Sequence, residues 1–199
     1  MADILLNEDH LMVRDTIREF ALAEILPGAA ERDETMEFPM DIVKKLAELG
    51  FMGVPFPEEY GGAGMDNLSS AIVVEEISRV CASTGLTVGP HMSLGTYPIY
   101  AFGSEEQKKK YVTKLAKGEW IGGFGLTEHA AGSDAQNTQT VAVPDGDDYI
   151  INGAKLYMTN GSYADVMTIT SKIKDADGND LGIGAFVVEP KGHDGVKMG

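Results

Sequence analysis

Residues 138–161, "TQTVAVPDGDDYIINGAKLYMTNG", decide how the second half of the chain is read. "TQTVAV" (138–143) alternates polar and apolar residues, as a strand with one buried face does. "PDGDD" carries turn chemistry, and "YIINGAKLYMTN" reads as two short strands around Asn152-Gly153. Downstream, "VMTIT" and "IGAFVVE" are further strands split by "DADGND". Five or six strands at hairpin spacing describe an antiparallel sheet, either a sandwich or an open barrel. The last segment, "PKGHDGVKMG", adds no closing element, so this β-domain reads as incomplete.

Upstream the grammar is helical. Asn7 caps a helix with Glu8 and Asp9 in its first turn and Val13, Ile17, Phe20 and Ala21 on one face. In "FPMDIVKKLAELG", Pro39 starts a helix, Ile42, Val43, Leu46 and Leu49 form its stripe, and Gly50 stops it. A third helix over about 67–82 buries Ile72, Val73, Ile77 and Val80. Residues 87–103 are apolar nearly all round and read as a buried helix. Ser104 and Gln107 make a capping box for a last helix that Gly118 closes. The expected fold class is therefore α+β multidomain: an all-helical N-terminal domain (1–119), then the antiparallel β-domain (120–199).

Composition excludes several classes. A net charge of −15, from 16 basic and 31 acidic residues, lacks the clustered Lys/Arg that nucleic acid requires. Lys108–Lys110 follow Glu105 and Glu106 at helical spacing and read as a solvated face. No apolar run is long enough for membrane insertion, and "MADILLNEDH" lacks the pattern of a secretory leader. With Cys81 as the single cysteine, a reducing address is expected: bacterial cytoplasm or, second, a mitochondrial matrix.

The chemistry-bearing candidate is "GFGLTEHAAGSDAQNT" (123–138). It is not a dinucleotide fingerprint, because Glu128 stands where the third glycine belongs, and no P-loop occurs anywhere. Glu128 and His129 are adjacent and point different ways, and His10, His91 and His193 have no partners at metal-binding intervals, so no metal site is expected. "DADGND" has its glycine too early for a calcium loop and reads as a hairpin turn. What remains is hydrogen bonding. Thr127, Ser133 and the amides around Gly132 suit a polyanion or a polar heterocycle, or else form an ordinary turn. Tyr157 and Thr159, on one side of the expected strand by period 2, offer an aromatic face beside a hydroxyl.

Five stretches in order carry a resemblance to the acyl-CoA dehydrogenase family of flavoenzymes. They are "PEEYGGAG" (57–64), "YAFGSEEQKKKYV" (100–112), "GFGLTEHAAGSD" (123–134), "YIINGAKLYMTNG" (149–161) and "GIGAFVVE" (182–189). The resemblance implies FAD as cofactor, with Phe124, Leu126 and Thr127 bordering the flavin, and Gly132 and Ser133 along the pyrophosphate. It also places Tyr157, Met158 and Thr159 against the ring, Thr159 near O4 and N5. Ser133, Pro90 and Leu94 would face the acyl-CoA substrate. The implied reaction is α,β-dehydrogenation of an acyl-CoA to the trans-2-enoyl-CoA, with short acyl groups slightly favoured. Electrons would pass to an electron-transfer flavoprotein from a homotetramer.

Two residues depart from the family pattern: His129 stands where proline is common, and Tyr157 where tryptophan is usual. The C-terminal helical domain that supplies the family's catalytic base has no counterpart here, so no catalytic residue is assigned. The chain is expected to be a truncation, inactive alone and poor at holding FAD. The competing readings are a non-enzymatic assembly or binding module and a flavin oxidase or monooxygenase on the same fold.

Overall fold

Asn7 opens the first helix of the computed structural model, which describes residues 6–198. Its side chain accepts from the His10 backbone N–H, and the His10 ring accepts from the Asn7 N–H. Two helix donors that would otherwise lack partners are thus satisfied reciprocally. Helix α1 (Glu8–Phe20) buries Val13 and Ile17. The chain then passes through a wide π turn (Ala21–Ile25) and a tight turn at Pro27 into α2 (Ala29–Thr35). Helix α3 (Met40–Glu48) buries Ile42, Val43 and Leu46. Leu49, expected on the same stripe, is 52% exposed, because the helix has ended and Gly50 turns the chain at φ +79°.

Asp66 caps α4 (Asn67–Val80), accepting from the Ser69 N–H at 2.8 Å, and its other oxygen lies 2.9 Å from the His10 ring. One carboxylate therefore caps α4 and ties α1 to it. Arg18 and Arg79 close on the buried Glu76 at 2.6 and 2.9 Å. Residues 87–103 are helical but not uniformly buried. Helix α5 (Ala82–Pro90) widens into a π segment (His91–Thr96) and narrows again to α6 (Tyr97–Phe102). Pro98 cannot donate to the preceding turn and its ring crowds that turn's carbonyl, which a wider turn relieves. Phe102 is 87% exposed, so the expected all-round burial is corrected to a one-sided one. The Ser104–Gln107 capping box forms as expected, opening α7 (Glu105–Gln107), and a π turn leads to α8 (Thr113–Ala116). Gly118 closes this helix at φ +69°.

The chain divides into two compact units, Met1–Trp120 and Ile121–Gly199. Among the described residues the second holds five strands: β1 (Gly122–Gly125), β2 (Val141–Asp145), β3 (Asp148–Asn152), β4 (Val166–Lys174) and β5 (Asp180–Val188). Strands β2 and β3 form an antiparallel hairpin, as do β4 and β5. The other edge of β4 is shared by β1 (Gly122 opposite Val166) and β2 (Val141 opposite Lys172), and both run parallel to it. The described strands thus form one mixed sheet: the expected helical-then-β order and both antiparallel hairpins are present, and the purely antiparallel expectation is corrected by the parallel pairing of β1 and β2 with β4. Hairpin logic pairs only strands joined by tight turns, whereas the long connection from β1 to β4 permits a parallel partner.

A second correction concerns Asn152-Gly153. Strand β3 ends at Asn152, and residues 153–157 form no strand. A Cβ on Gly153 would lie 2.3 Å from Thr140 Oγ1, so this glycine admits a close approach and is not a hairpin turn. Tyr157 and Asn160 adopt left-handed backbone at φ +54° and +65°, which a non-glycine residue of a regular strand does not. "DADGND" does turn a hairpin, with Asp175 accepting from the amides of Asp177 and Asn179. Among the described residues no helix is long and apolar enough to cross a membrane, and no cluster of three or more His, Cys, Asp or Glu could hold a metal. The reading of Met1–Leu5 as lacking a leader lies outside the described residues.

Candidate functional site

The glycines of β1 let another segment lie directly over the strand. A Cβ on Gly123 would come 3.4 Å from Thr159 O, and one on Gly125 would come 3.0 Å from Met158 Sδ. Three hydrogen bonds hold that segment to β1 and the loop after it. Asn160 Nδ2 donates to Gly122 O at 3.3 Å, Lys155 Nζ to Leu126 O at 3.0 Å, and Leu156 N–H to Thr127 O at 2.7 Å. Met158 packs against the buried cluster of Ala164, Met167 and Ile169.

Candidate residues Leu126 and Thr127, both half-buried, are therefore brought beside the segment of Tyr157, Met158 and Thr159, whereas Phe124, half-buried between Gly123 and Gly125, turns its side chain to the other face of β1. Tyr157 and Thr159 do not share a strand face, as the alternation implied. They sit in a turn, with the Tyr157 side chain 90% exposed on its left-handed backbone. The loop beyond Thr127 is pinched by reciprocal bonds between Glu128 and Ala131 and by Asn137 Nδ2 on Ala130 O at 2.9 Å. Gly132 and Ser133 are exposed past the pinch, and a Cβ on Gly132 would meet nothing within 4 Å. Pro90, half-buried, and Leu94, 43% exposed, belong to the helical unit. His129 is exposed. A hollow of about 420 Å³ lined by Gln136, Lys172, Asp180, Gly182 and Ile183 contains none of these residues.

Sequence reasoning missed the group beneath the site. Glu128 is buried and accepts from Lys155 Nζ at 2.6 Å, Thr140 Oγ1 at 2.5 Å, the Gln139 N–H at 2.5 Å and the Thr138 hydroxyl. Burial alone would raise this carboxyl, but the bonds from Lys155, Thr138, Thr140 and Gln139 hold it well below the usual carboxylate range. The only sequence trace was a lysine between apolar Ala154 and Leu156, with two threonines at 138 and 140.

The arrangement offers neutral hydrogen-bonding groups (Thr127, Thr159 and Ser133), an exposed aromatic ring and glycine-bared backbone. Lys155, the lysine that reaches Leu126 O, is paired with Glu128. Such a surface suits a planar heterocycle with polar edges better than a bare phosphate.

Residues 7–119 match the family model described as acyl-CoA dehydrogenase, N-terminal domain, and residues 123–199 match the one for the middle domain. The short-chain specific acyl-CoA dehydrogenase of Clostridium acetobutylicum is 50% identical over 197 residues, covering 99% of this chain and 52% of that protein. A chain of the solved structure described as the electron transferring flavoprotein of Acidaminococcus fermentans is 45% identical with a TM-score of 0.90, over 97% of this chain and 50% of that one. An acyl-CoA dehydrogenase complexed with FAD from Bacillus anthracis is 39% identical with a TM-score of 0.85, over 94% and 32% of the two chains. The chain spans about half the length of the curated relatives it matches. With both domain models matched in order along a helical unit and a mixed-sheet unit, the chain belongs to the acyl-CoA dehydrogenase family.

Proposed function

We propose that the chain supplies one wall of the flavin site of an FAD-dependent acyl-CoA dehydrogenase that acts on short acyl groups and delivers its electrons to an electron-transferring flavoprotein. The observation that carries this reading is the 2.7 Å bond from the Leu156 N–H to Thr127 O, which sets the Thr127 loop beside the Tyr157–Thr159 turn. The donor set fits a flavin: hydroxyls for a polar ring edge, an aromatic side chain for its face, and glycines where backbone comes close. The short acyl preference rests on the Clostridium acetobutylicum relative, and the electron acceptor on the Acidaminococcus fermentans structure.

FAD, when bound, would supply the hydride-accepting chemistry that an acyl-CoA dehydrogenation needs, and Thr127, Thr159 and the glycine-bared backbone are the groups that would hold it. The Thr127 hydroxyl would donate to the pyrimidine edge and Thr159 to the O4 and N5 side, where fixed donors matter most because reduction places negative charge there. Leu126 and Met158 would exclude water from the ring, and Tyr157 would cover its face. Gly132 and Ser133 would take the pyrophosphate, Ser133 also reaching the acyl-CoA, while Pro90 and Leu94 would line the acyl chain. No carboxylate of this chain is assigned the α-proton.

A chimera tests the reading directly. Residues 1–199 replace the matching half of the Clostridium acetobutylicum relative, and the purified protein is assayed for bound flavin and for flavin bleaching by acyl-CoAs of graded length. Stoichiometric FAD with bleaching strongest for short acyl groups is expected. A folded chimera that holds no FAD would refute the proposal.

A further inference from the structure

Consecutive residues grip consecutive carbonyls at the centre of the site. Lys155 Nζ donates to Leu126 O, and the next residue, Leu156, donates its N–H to Thr127 O. The same ammonium also contacts Glu128 Oε1 and Thr138 Oγ1, at 2.6 and 3.1 Å. Immediately after this double grip the chain enters the left-handed conformation of Tyr157, which an aromatic residue adopts only when its surroundings impose it.

We propose that Lys155 is a positioning residue, a buried clamp that sets the Tyr157–Thr159 turn on the Thr127 loop in the one arrangement where both threonine hydroxyls face the same flavin. The clamp rests on the functional reading above for the identity of that ligand, but its mechanical part stands on this chain alone. Two observations separate it from a salt bridge serving stability only. First, the Glu128 carboxylate also accepts from two hydroxyls and from the amides of Gln139 and Thr140, so the ammonium is one of five donor groups around it and is not its sole partner. Second, a lysine side chain only 5% exposed carries a charge that is costly to bury, and an apolar side chain of similar length would fill the space without that cost. What the apolar side chain could not do is donate a hydrogen bond to the Leu126 carbonyl, one peptide ahead of Thr127. Preorganised sites depend on such supporting bonds, because a binding group displaced by about 1 Å loses most of its effect.

The decisive variant removes both charges. Lys155→Met alone would leave Glu128 buried without its cation and would cost stability whatever the clamp does. Glu128→Gln/Lys155→Met leaves no unpaired charge, so it separates stability from positioning. Two measurements are made: native-state amide exchange at Leu156 and Gly161 on the 199-residue chain, and titration with FAD of the chimera described above, stripped of its flavin and carrying the same substitutions. The clamp predicts that the double variant regains most of the melting temperature lost by Lys155→Met, while the Leu156 amide still exchanges at least tenfold faster than in the unsubstituted chain. It also predicts FAD binding at least tenfold weaker. Unchanged protection at Leu156 in the double variant would overturn the clamp. Lost protection with unchanged FAD affinity would overturn its positioning role. If the folded, unsubstituted chimera holds no FAD, the flavin reading fails and the positioning role with it, while amide exchange still decides whether the clamp exists.

Discussion

Lys155 Nζ lies 2.6 Å from Glu128 Oε1, with each side chain only 5% exposed. Breaking a buried pair from one side strands the other charge, which commonly costs about 3–5 kcal/mol. Glu128→Ala is expected to lose stability in that range, since the hydroxyls of Thr138 and Thr140 lose their acceptor as well. Urea unfolding of the variant against the unsubstituted chain measures the loss. A change below about 1 kcal/mol would mean that the pair is solvated and contributes as surface pairs do.

His91 gives the fold a pH dependence of known sign. Its ring is fully buried with Nε2 3.0 Å from Leu115 O, and burial pushes its pKa down to about 4 from 6.5, against bonds to the Leu115 and Met52 backbone. Between those two values the unfolded chain takes up a proton that the folded chain does not. Stability from this group is therefore full above about pH 6.5 and falls as pH drops toward about 4, by about 3 kcal/mol in total. Denaturant unfolding at intervals across that window should show the slope. The variant His91→Gln should flatten it, and an equal slope in both proteins would assign the effect to other groups.

Tyr157 joins exposure to strain. At 90% exposed it has little packing to lose, and its φ of +54° costs an L residue about 1–2 kcal/mol. Asn tolerates this conformation, so Tyr157→Asn should stabilise the chain by about 1 kcal/mol while weakening flavin retention in the chimera. A variant both more stable and equally rich in flavin would remove Tyr157 from the site.

Thr159 is exposed, so Thr159→Val should change the stability of the chain by less than about 0.5 kcal/mol. In the chimera the same change should lower FAD content or slow its reduction, because an apolar group leaves the ring edge without its donor. Wild-type flavin content and reduction rate would show that Thr159 does not face the ring.

Much of the helical unit was legible because its signals are local. The Asn7 and Ser104 caps, the stripes Ile42, Val43 and Leu46 of α3 and Ile72, Val73 and Ile77 of α4, and the stops at Gly50 and Gly118 each depend on residues within a turn or two, whereas Leu49 and Val80, expected buried at the helix ends, are exposed and half-buried. The hairpins β2–β3 and β4–β5 were legible for the same reason, since their turns, Gly146 and "DADGND", lie between the strands they join. Tertiary structure alone decided the rest. The parallel pairing of β1 and β2 with β4 joins strands that no tight turn connects, so nothing in either strand announces its partner. The pitch change at His91–Thr96 arises where a helix must accommodate Pro98, a matter of packing as much as of composition. At the candidate site the sequence pointed to Thr127, Tyr157 and Thr159 as residue types but read the last two as strand neighbours. Their placement depends on Lys155 meeting Glu128 across 27 residues and on Leu156 reaching Thr127. A charge that finds its partner only after the chain has folded leaves no periodic trace, because its energy comes from burial and geometry that exist only in the folded state.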